Sequence, residues 1–174
     1  MSESPGQLTS GSPAVGPLAT GGRVVPAEWI DYIGHMNDAY YFMAFTEATE
    51  AFLDHVGLGS AYRESAGCGM YTVESHLCFS ASATLGDELR YSTQLLGADA
   101  KRLRAFHVMT LGVGGAEVAT CELMFLHVDI ASSRVVPMPA ERLAVVSALV
   151  SEHAALPAPA NRGRRIEMPA RREP

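Results

Sequence analysis

Cysteine is scarce in this chain and falls into no pattern. Cys68, Cys78 and Cys121 are odd in number and show no paired spacing. That excludes a disulfide framework and reads as reduced, mostly buried thiols of a cytoplasmic protein. No run reaches eighteen apolar residues, so no membrane-spanning segment is expected. A basic start and an apolar block, the marks of a signal peptide, are also missing; Arg23 is the first basic side chain. The chain has no glycine-rich loop of the P-loop type and no serine in a nucleophile elbow. His76, His107 and His127 fall on three different expected strands, but no two histidines stand four apart and no cysteine sits at ligand spacing, so no metal is expected. No cofactor is called for either.

Charge is thin as well. Charged residues make up 18% of the 174 and hydrophobic ones 48%, an ordinary globular balance that suits one domain with one core. The formal net charge of −6 is unevenly spread, because five arginines lie in the last thirteen residues. Between Gly22 and Leu156 eight basic side chains face sixteen acidic ones, leaving that part near −8. So acidic a domain is a poor partner for nucleic acid, where affinity comes largely from neutralising phosphates.

Three segments follow from composition. Residues 1–21, rich in Ser, Gly, Pro and Ala, are expected to be a disordered leader. Residues 22–155 form the folded domain. Residues 156–174 are a Pro- and Arg-rich flexible tail. Inside the domain, Arg23–Ile30 reads as a short edge strand broken by Pro26. Ala39 to about Val56 is helical: Tyr41, Phe45, Ala48 and Phe52 form an apolar stripe, Glu47, Glu50 and Asp54 a polar one, and Gly57 and Gly59 a stop. The helix is apolar nearly all round in its first half, which predicts a buried start. A short helical turn is expected around Ala61–Glu64. The period then changes to 2 over Met70–Ser80, Glu88–Leu96, Leu103–Gly112 and Glu117–Ile130, with turn chemistry between, predicting an antiparallel meander. Several runs are apolar on both faces, so the helix is expected to cover one and a second subunit the other. A terminal helix spans Ala140–His153. The order is α+β: one antiparallel sheet around one long helix.

The chemistry gathers in Asp31-Tyr-Ile-Gly-His-Met-Asn-Asp-Ala-Tyr-Tyr41, which runs a carboxylate, a glycine turn and a histidine into the helix. An acid facing a helix N-terminus can activate water or attack while free amides of the first turn receive an oxyanion. The alternative is structural: Asn37 or Asp38 caps the helix and Asp31 closes a polar turn.

This motif, with Tyr71-Thr-Val-Glu-Ser-His76, Lys101-Arg-Leu-Arg-Ala-Phe-His107 and Ala119-Thr-Cys-Glu-Leu-Met-Phe-Leu-His-Val-Asp129, resembles the hotdog-fold acyl-CoA thioesterases of the 4-hydroxybenzoyl-CoA thioesterase-like group over roughly 24–151. It looks most like the thioesterase module fused to, or encoded beside, carnitine 3-dehydrogenase, which is associated with betainyl-CoA. The resemblance implies that Asp31 is the catalytic carboxylate, as general base on water or nucleophile at the thioester carbonyl. His35 would orient Asp31 or hold the thioester, and Gly34, Met36, Asn37, Asp38 and Tyr41 would line the oxyanion and substrate site, with amides from about Met36 to Ala39 as donors. Glu74 and His76, two apart on one strand face, form either a secondary acid/base or substrate pair, or a cross-strand pair with no chemistry. A carboxylate near Tyr71 or Phe79 could hold a quaternary ammonium by charge and cation–π attraction. Lys101, Arg102 and Arg104 either meet CoA phosphates or form a solvated turn. The family forms its sites between subunits, so acyl-CoA and a second or further copy, as dimer or tetramer, are the implied partners. One departure stands out: Ile33 occupies the place of an asparagine that some branches use to polarise substrate or place water, which opens a second reading as a non-catalytic acyl-CoA-binding protein.

Overall fold

The computed structural model describes residues 16–168. Its centre is helix α1, Asp38–His55, whose Asn37 Oδ1 accepts the Ala39 N–H at 3.0 Å as an N-cap. The expected stripe of Tyr41, Phe45, Ala48 and Phe52 is buried throughout, joined by Ala44. The helix ends where Gly57 adopts φ +71, a left-handed position that glycine takes without steric cost. A second short helix, α2, covers Ser60–Ala66 and the last, α3, Ala140–His153, both at the expected places.

Among the described residues six strands form the sheet on which α1 packs: β1 (Leu18–Val24), β2 (Cys68–Phe79), β3 (Glu88–Ala98), β4 (Arg102–Leu111), β5 (Glu117–Asp129) and the two-residue β6 (Arg134–Val135). All pairings are antiparallel, in the order β1-β3-β4-β5-β2, with β6 on β5. This is the hotdog arrangement, one sheet curled around one helix, and the α+β class is as expected.

The meander holds only from β3 to β5. Strand β2 pairs with β5 rather than with its neighbour in sequence, which leaves it as an open edge. The cause is the crossing 80–87. Ser80 and Ala81 donate to Val118 O, and Ala83 is buried under the start of α1, its N–H given to Tyr41 Oη (2.9 Å) and its O taking the Met36 N–H (2.8 Å). The glycine turn does form, but Val25 N–H meets Asp87 O and Gly86 N–H meets Val25 O, so it delivers the chain beside β1.

Strand β1 lies earlier than the expected Arg23–Ile30, because Pro26 begins a single 3-10 turn, Ala27–Trp29. Its first residues come from the stretch expected to be disordered; residues 1–15 of that leader lie outside the described residues. The glycines there have a packing reason: a Cβ at Gly22 would collide with Leu89 O. Beyond Thr93, the last β3 residue that β1 pairs, α3 takes over, and Leu95 N–H donates to His153 Nδ1 at 2.8 Å.

One further expectation needs correcting and another needs an addition. The start of α1 is not buried within one chain: Phe42 and Met43 are 37% and 43% exposed, on the flank that continues through Thr46 and Glu50 towards the β2 edge. The sheet's outer face, assigned in the sequence to a second subunit, receives the chain's own end in part. Arg104 and Glu122 pair there, and Gly163 N–H donates to Glu122 Oε2 at 2.5 Å. Residues 169–174 of the expected tail lie outside the described residues.

Candidate active site

The loop before α1 is a tight hairpin. Asp31 N–H donates to His35 O at 2.9 Å, Gly34 N–H to Asp31 O at 3.1 Å, and Gly34 takes φ +85. Ile30 and Met36 bridge across its base, and Asn37 N–H reaches Trp29 O at 2.9 Å. Trp29 stacks on Tyr40 with ring centroids 5.2 Å apart, clamping the hairpin to the first turn of the helix. The Asp31 carboxylate is held through one oxygen: Oδ1 accepts the N–H of Ile33 at 2.9 Å and of His35 at 3.4 Å. Oδ2 has no hydrogen-bond partner among the described residues.

Ile33 thus serves Asp31 through its backbone, which any residue but proline supplies, while its side chain is 61% exposed. The His35 imidazole is exposed and makes no hydrogen bond among the described residues, so only the backbone of His35 orients Asp31.

The expected row of oxyanion donors from Met36 to Ala39 is mostly spent. Met36 N–H goes to Ala83 O, Asn37 N–H to Trp29 O and Ala39 N–H to the Asn37 cap. Asp38 N–H alone in that row has no acceptor among the described residues. Tyr41 is buried beneath it, its hydroxyl accepting from Ala83 and its ring set edge-on to Phe79 at 5.2 Å.

The remaining expected residues do not gather here within one chain. Phe79 faces α1, so by alternation Glu74 and His76, beyond the bulge at Val73, point from the opposite face of the sheet. The nearest hydrogen-bonding neighbour of His76 is Cys78 Sγ at 3.9 Å from Nε2. Lys101, Arg102 and Arg104 lie at the other end of the strands, since Arg102 is level with Leu126 while Phe79 is level with Ala119. At ~3.3 Å per residue that is roughly 23 Å for Arg102 and roughly 16 Å for Arg104. Arg102 is paired with Asp99 (2.6 Å) and Arg104 with Glu122; Lys101 has no ion pair among the described residues.

Two of the three strand histidines have both ring nitrogens engaged. His107, fully buried, bonds Thr49 (3.0 Å) and Thr93 (2.8 Å), and burial pushes its pKa down to about 3. His127 bonds Tyr62 (2.9 Å) and Val136 O (2.9 Å).

One feature was missed in the sequence: a cleft of about 560 Å³ between the second half of α1, α2 and the start of β2, walled by Thr46, Thr49, Glu50, Asp54, Arg63 and Tyr71. Only the polar stripe of α1 pointed to it.

Residues 25–148 match the family described as the thioesterase-like superfamily. A betainyl-CoA thioesterase from Pseudomonas aeruginosa is 41% identical over 152 residues, 87% of this chain and 96% of that protein. A protein from Rhizobium meliloti named L-carnitine dehydrogenase/betainyl-CoA thioesterase is 39% identical over 88% of this chain, which spans only 31% of that longer relative. Among solved structures, a Staphylococcus aureus protein in complex with CoA superposes with a TM-score of 0.81 at 24% identity, covering 91% of this chain and 100% of that one.

Proposed function

The chain belongs to the thioesterase-like superfamily, and from that premise we propose that it hydrolyses the thioester of a small polar acyl-CoA, betainyl-CoA foremost, with Asp31 as the catalytic carboxylate. The observation that carries the assignment of the residue is the Asp31 carboxylate itself. One oxygen is tied to two backbone N–H groups and the other is open, in the loop that leads into α1. Fixing Oδ1 orients Oδ2 without neutralising it. Oδ2 is then the atom that takes a proton from water or meets the carbonyl carbon. The tetrahedral oxyanion falls to Asp38 N–H, reinforced by the positive end of α1. A thiolate leaves readily, so the site needs no strong acid beside the sulfur.

The reading includes a second copy of the chain. Strand β2 is an edge with no further strand beside it among the described residues, and it exposes Tyr71, Val73 and Phe79, while Phe42 and Met43 of α1 are exposed as well. Antiparallel pairing of β2 with its own copy about a twofold axis sets the Phe79 end of one strand against the Met70 end of the other. Each Asp31 loop then lies at the partner's cleft, and Lys101 of the partner subunit comes to the same end, as a contact for CoA phosphate.

The alternative of a non-catalytic binder rests on Ile33. The Ile33 N–H still holds Asp31, which favours turnover. Thiol release from a panel of acyl-CoAs, starting with betainyl-CoA and 4-hydroxybenzoyl-CoA, tests the activity. Absence of release from every ester, with binding intact, would establish the binder instead.

A further inference from the structure

Phe106 is 2% exposed, yet it faces away from α1. Its neighbour His107 bonds Thr49 of the helix, so alternation sends Phe106 to the outer face of the sheet. The register sets it in a lateral row of four side chains: Gln94 on β3, Phe106 on β4, Glu122 on β5 and His76 on β2. The segment after α3 follows that row. His153, at the end of α3, accepts Leu95 N–H on Nδ1 and the Gln94 amide on its carbonyl oxygen, which seats the helix end beside β3. Ala158 and Arg162 then share a cavity with Gln94, Gly163 N–H reaches Glu122, and Arg164 and Arg165 wall a second cavity with His76 and Cys78. Residues 157–167 thus cross four strands as a strap. Its anchor is polar: the Glu122 carboxylate takes Gly163 N–H on one oxygen and Arg104 on the other. Ile166, within the strap, is 94% exposed, so the segment contributes little apolar burial of its own.

We infer that this strap keeps the outer face of the sheet from docking on the same face of a second copy. Uncovered, that face would present Phe106 at its centre with Val108 and Met124 in the rows on either side, an apolar surface suited to association. It is also self-complementary in charge. About a twofold axis, Arg104 and Glu122 of one copy can meet the same pair of the other in reverse. With the strap seated, Glu122 is spent on Gly163 and Arg104 of its own chain and the approach is closed. This association differs from pairing along the β2 edge, and it depends on neither that pairing nor the thioesterase reading.

The test keeps the full chain and frees the strap at its anchor. Gly163 adopts φ +64 and donates its N–H, and Gly163→Pro can do neither. Sedimentation gives the mass of the unaltered chain, of Gly163→Pro, of Val108→Lys and of the double variant. Trypsin cleavage after Arg164 reports release of the strap. The inference expects Gly163→Pro to be cleaved about tenfold faster, the worth of one hydrogen bond to a carboxylate, and to sediment at about twice the mass of the unaltered chain. Val108→Lys alone should leave the mass as it is, and added to Gly163→Pro it should restore it. A Gly163→Pro chain that is cleaved faster but keeps its mass overturns the inference. Unchanged cleavage does so too, since Gly163 would then anchor nothing. Doubling that survives Val108→Lys would put the contact elsewhere, and a fall in mass from Val108→Lys alone would show the face already joined; either outcome sinks the idea. Should Val108→Lys fail to fold by circular dichroism, Ser92→Lys, its partner on β3, takes its place.

Discussion

His107 donates a hydrogen bond to Thr49 rather than accepting one. Thr49 spends its single hydroxyl proton on Phe45 O at 2.9 Å, so its oxygen takes the His107 Nε2–H at 3.0 Å. His107 Nδ1 is therefore the acceptor for the Thr93 hydroxyl at 2.8 Å, and Thr93 in turn accepts from Thr20 at 2.9 Å. One proton assignment fixes four bonds, running from the cleft wall on α1 through the core to β1. The ring lies nearly parallel to Phe45, 5.9 Å between centroids, and a neutral imidazole is what this site accommodates.

The pH dependence of stability follows. Burial holds His107 at about 3, far below the ~6.5 of an unfolded chain. The unfolded state thus binds a proton that the folded state refuses. Stability is full above pH ~6.5 and is lost progressively as pH falls towards about 3. His153 is also depressed, by burial first, and acts in the same direction. Urea unfolding should show a midpoint that falls between pH 7 and pH 5. His107→Gln should make that fall shallower without removing it, and should cost about 2 kcal/mol at pH 7 by breaking a buried network. An unchanged pH slope in the variant would show that His107 is not the titrating group.

Asp31→Asn separates chemistry from architecture. Asparagine presents the same Oδ1 to the N–H groups of Ile33 and His35, so the hairpin and the melting temperature should be retained. What is lost is the charge on the open oxygen. Thiol release should drop by roughly 10²–10⁴-fold, the range of a positioned acid–base group. A variant that melts normally yet keeps its rate would remove Asp31 from the mechanism.

Ile33→Asn tests the departure from the family pattern. The side chain at 33 is solvent-exposed and only the backbone N–H meets Asp31. Restoring asparagine should change kcat/KM by less than about threefold, since it neither adds nor removes a transition-state contact within the chain. A gain of a hundredfold would mean that a partner or substrate folds residue 33 inwards.

These outcomes also explain what could be read in advance. The buried stripe of α1 and its Asn37 cap were legible because both are local, and so was the acid beside them. Pairing partners were not. The alternation in β2 marks it as a strand but is silent on whether β3 or β5 lies beside it, and that choice sits in the Ala83 contacts with Met36 and Tyr41, more than forty residues away in sequence. Strand β1 was misplaced because glycine and alanine lack β propensity and are used there for close approach to β3. The expected row of free donors shrank to Asp38 N–H because Ala83 and Trp29 take the Met36 and Asn37 N–H groups from a distance and the Asn37 cap takes that of Ala39. Clefts built across elements, such as the one walled by Glu50 and Tyr71, have no signature in a linear pattern.

The edge of the sheet supplies the last prediction. Val73 is the bulged, exposed residue of β2, between Thr72 and Glu74, and pairs with no strand among the described residues. With the Phe79 end of one strand set against the Met70 end of the other, residue 73 lies close to the twofold axis, so a cation placed there brings its own copy's charge near, which is unfavourable. Val73→Lys should leave the monomer folded, because the side chain points into solvent, yet shift sedimentation towards a single chain. Thiol release should fall with the dimer fraction and recover at high protein concentration, since each site would need the cleft of a second copy. Activity that stays constant per chain while the oligomer dissociates would show that one chain carries the whole site, and would return the search for the acyl pocket to the neighbourhood of Asp31 and Phe79.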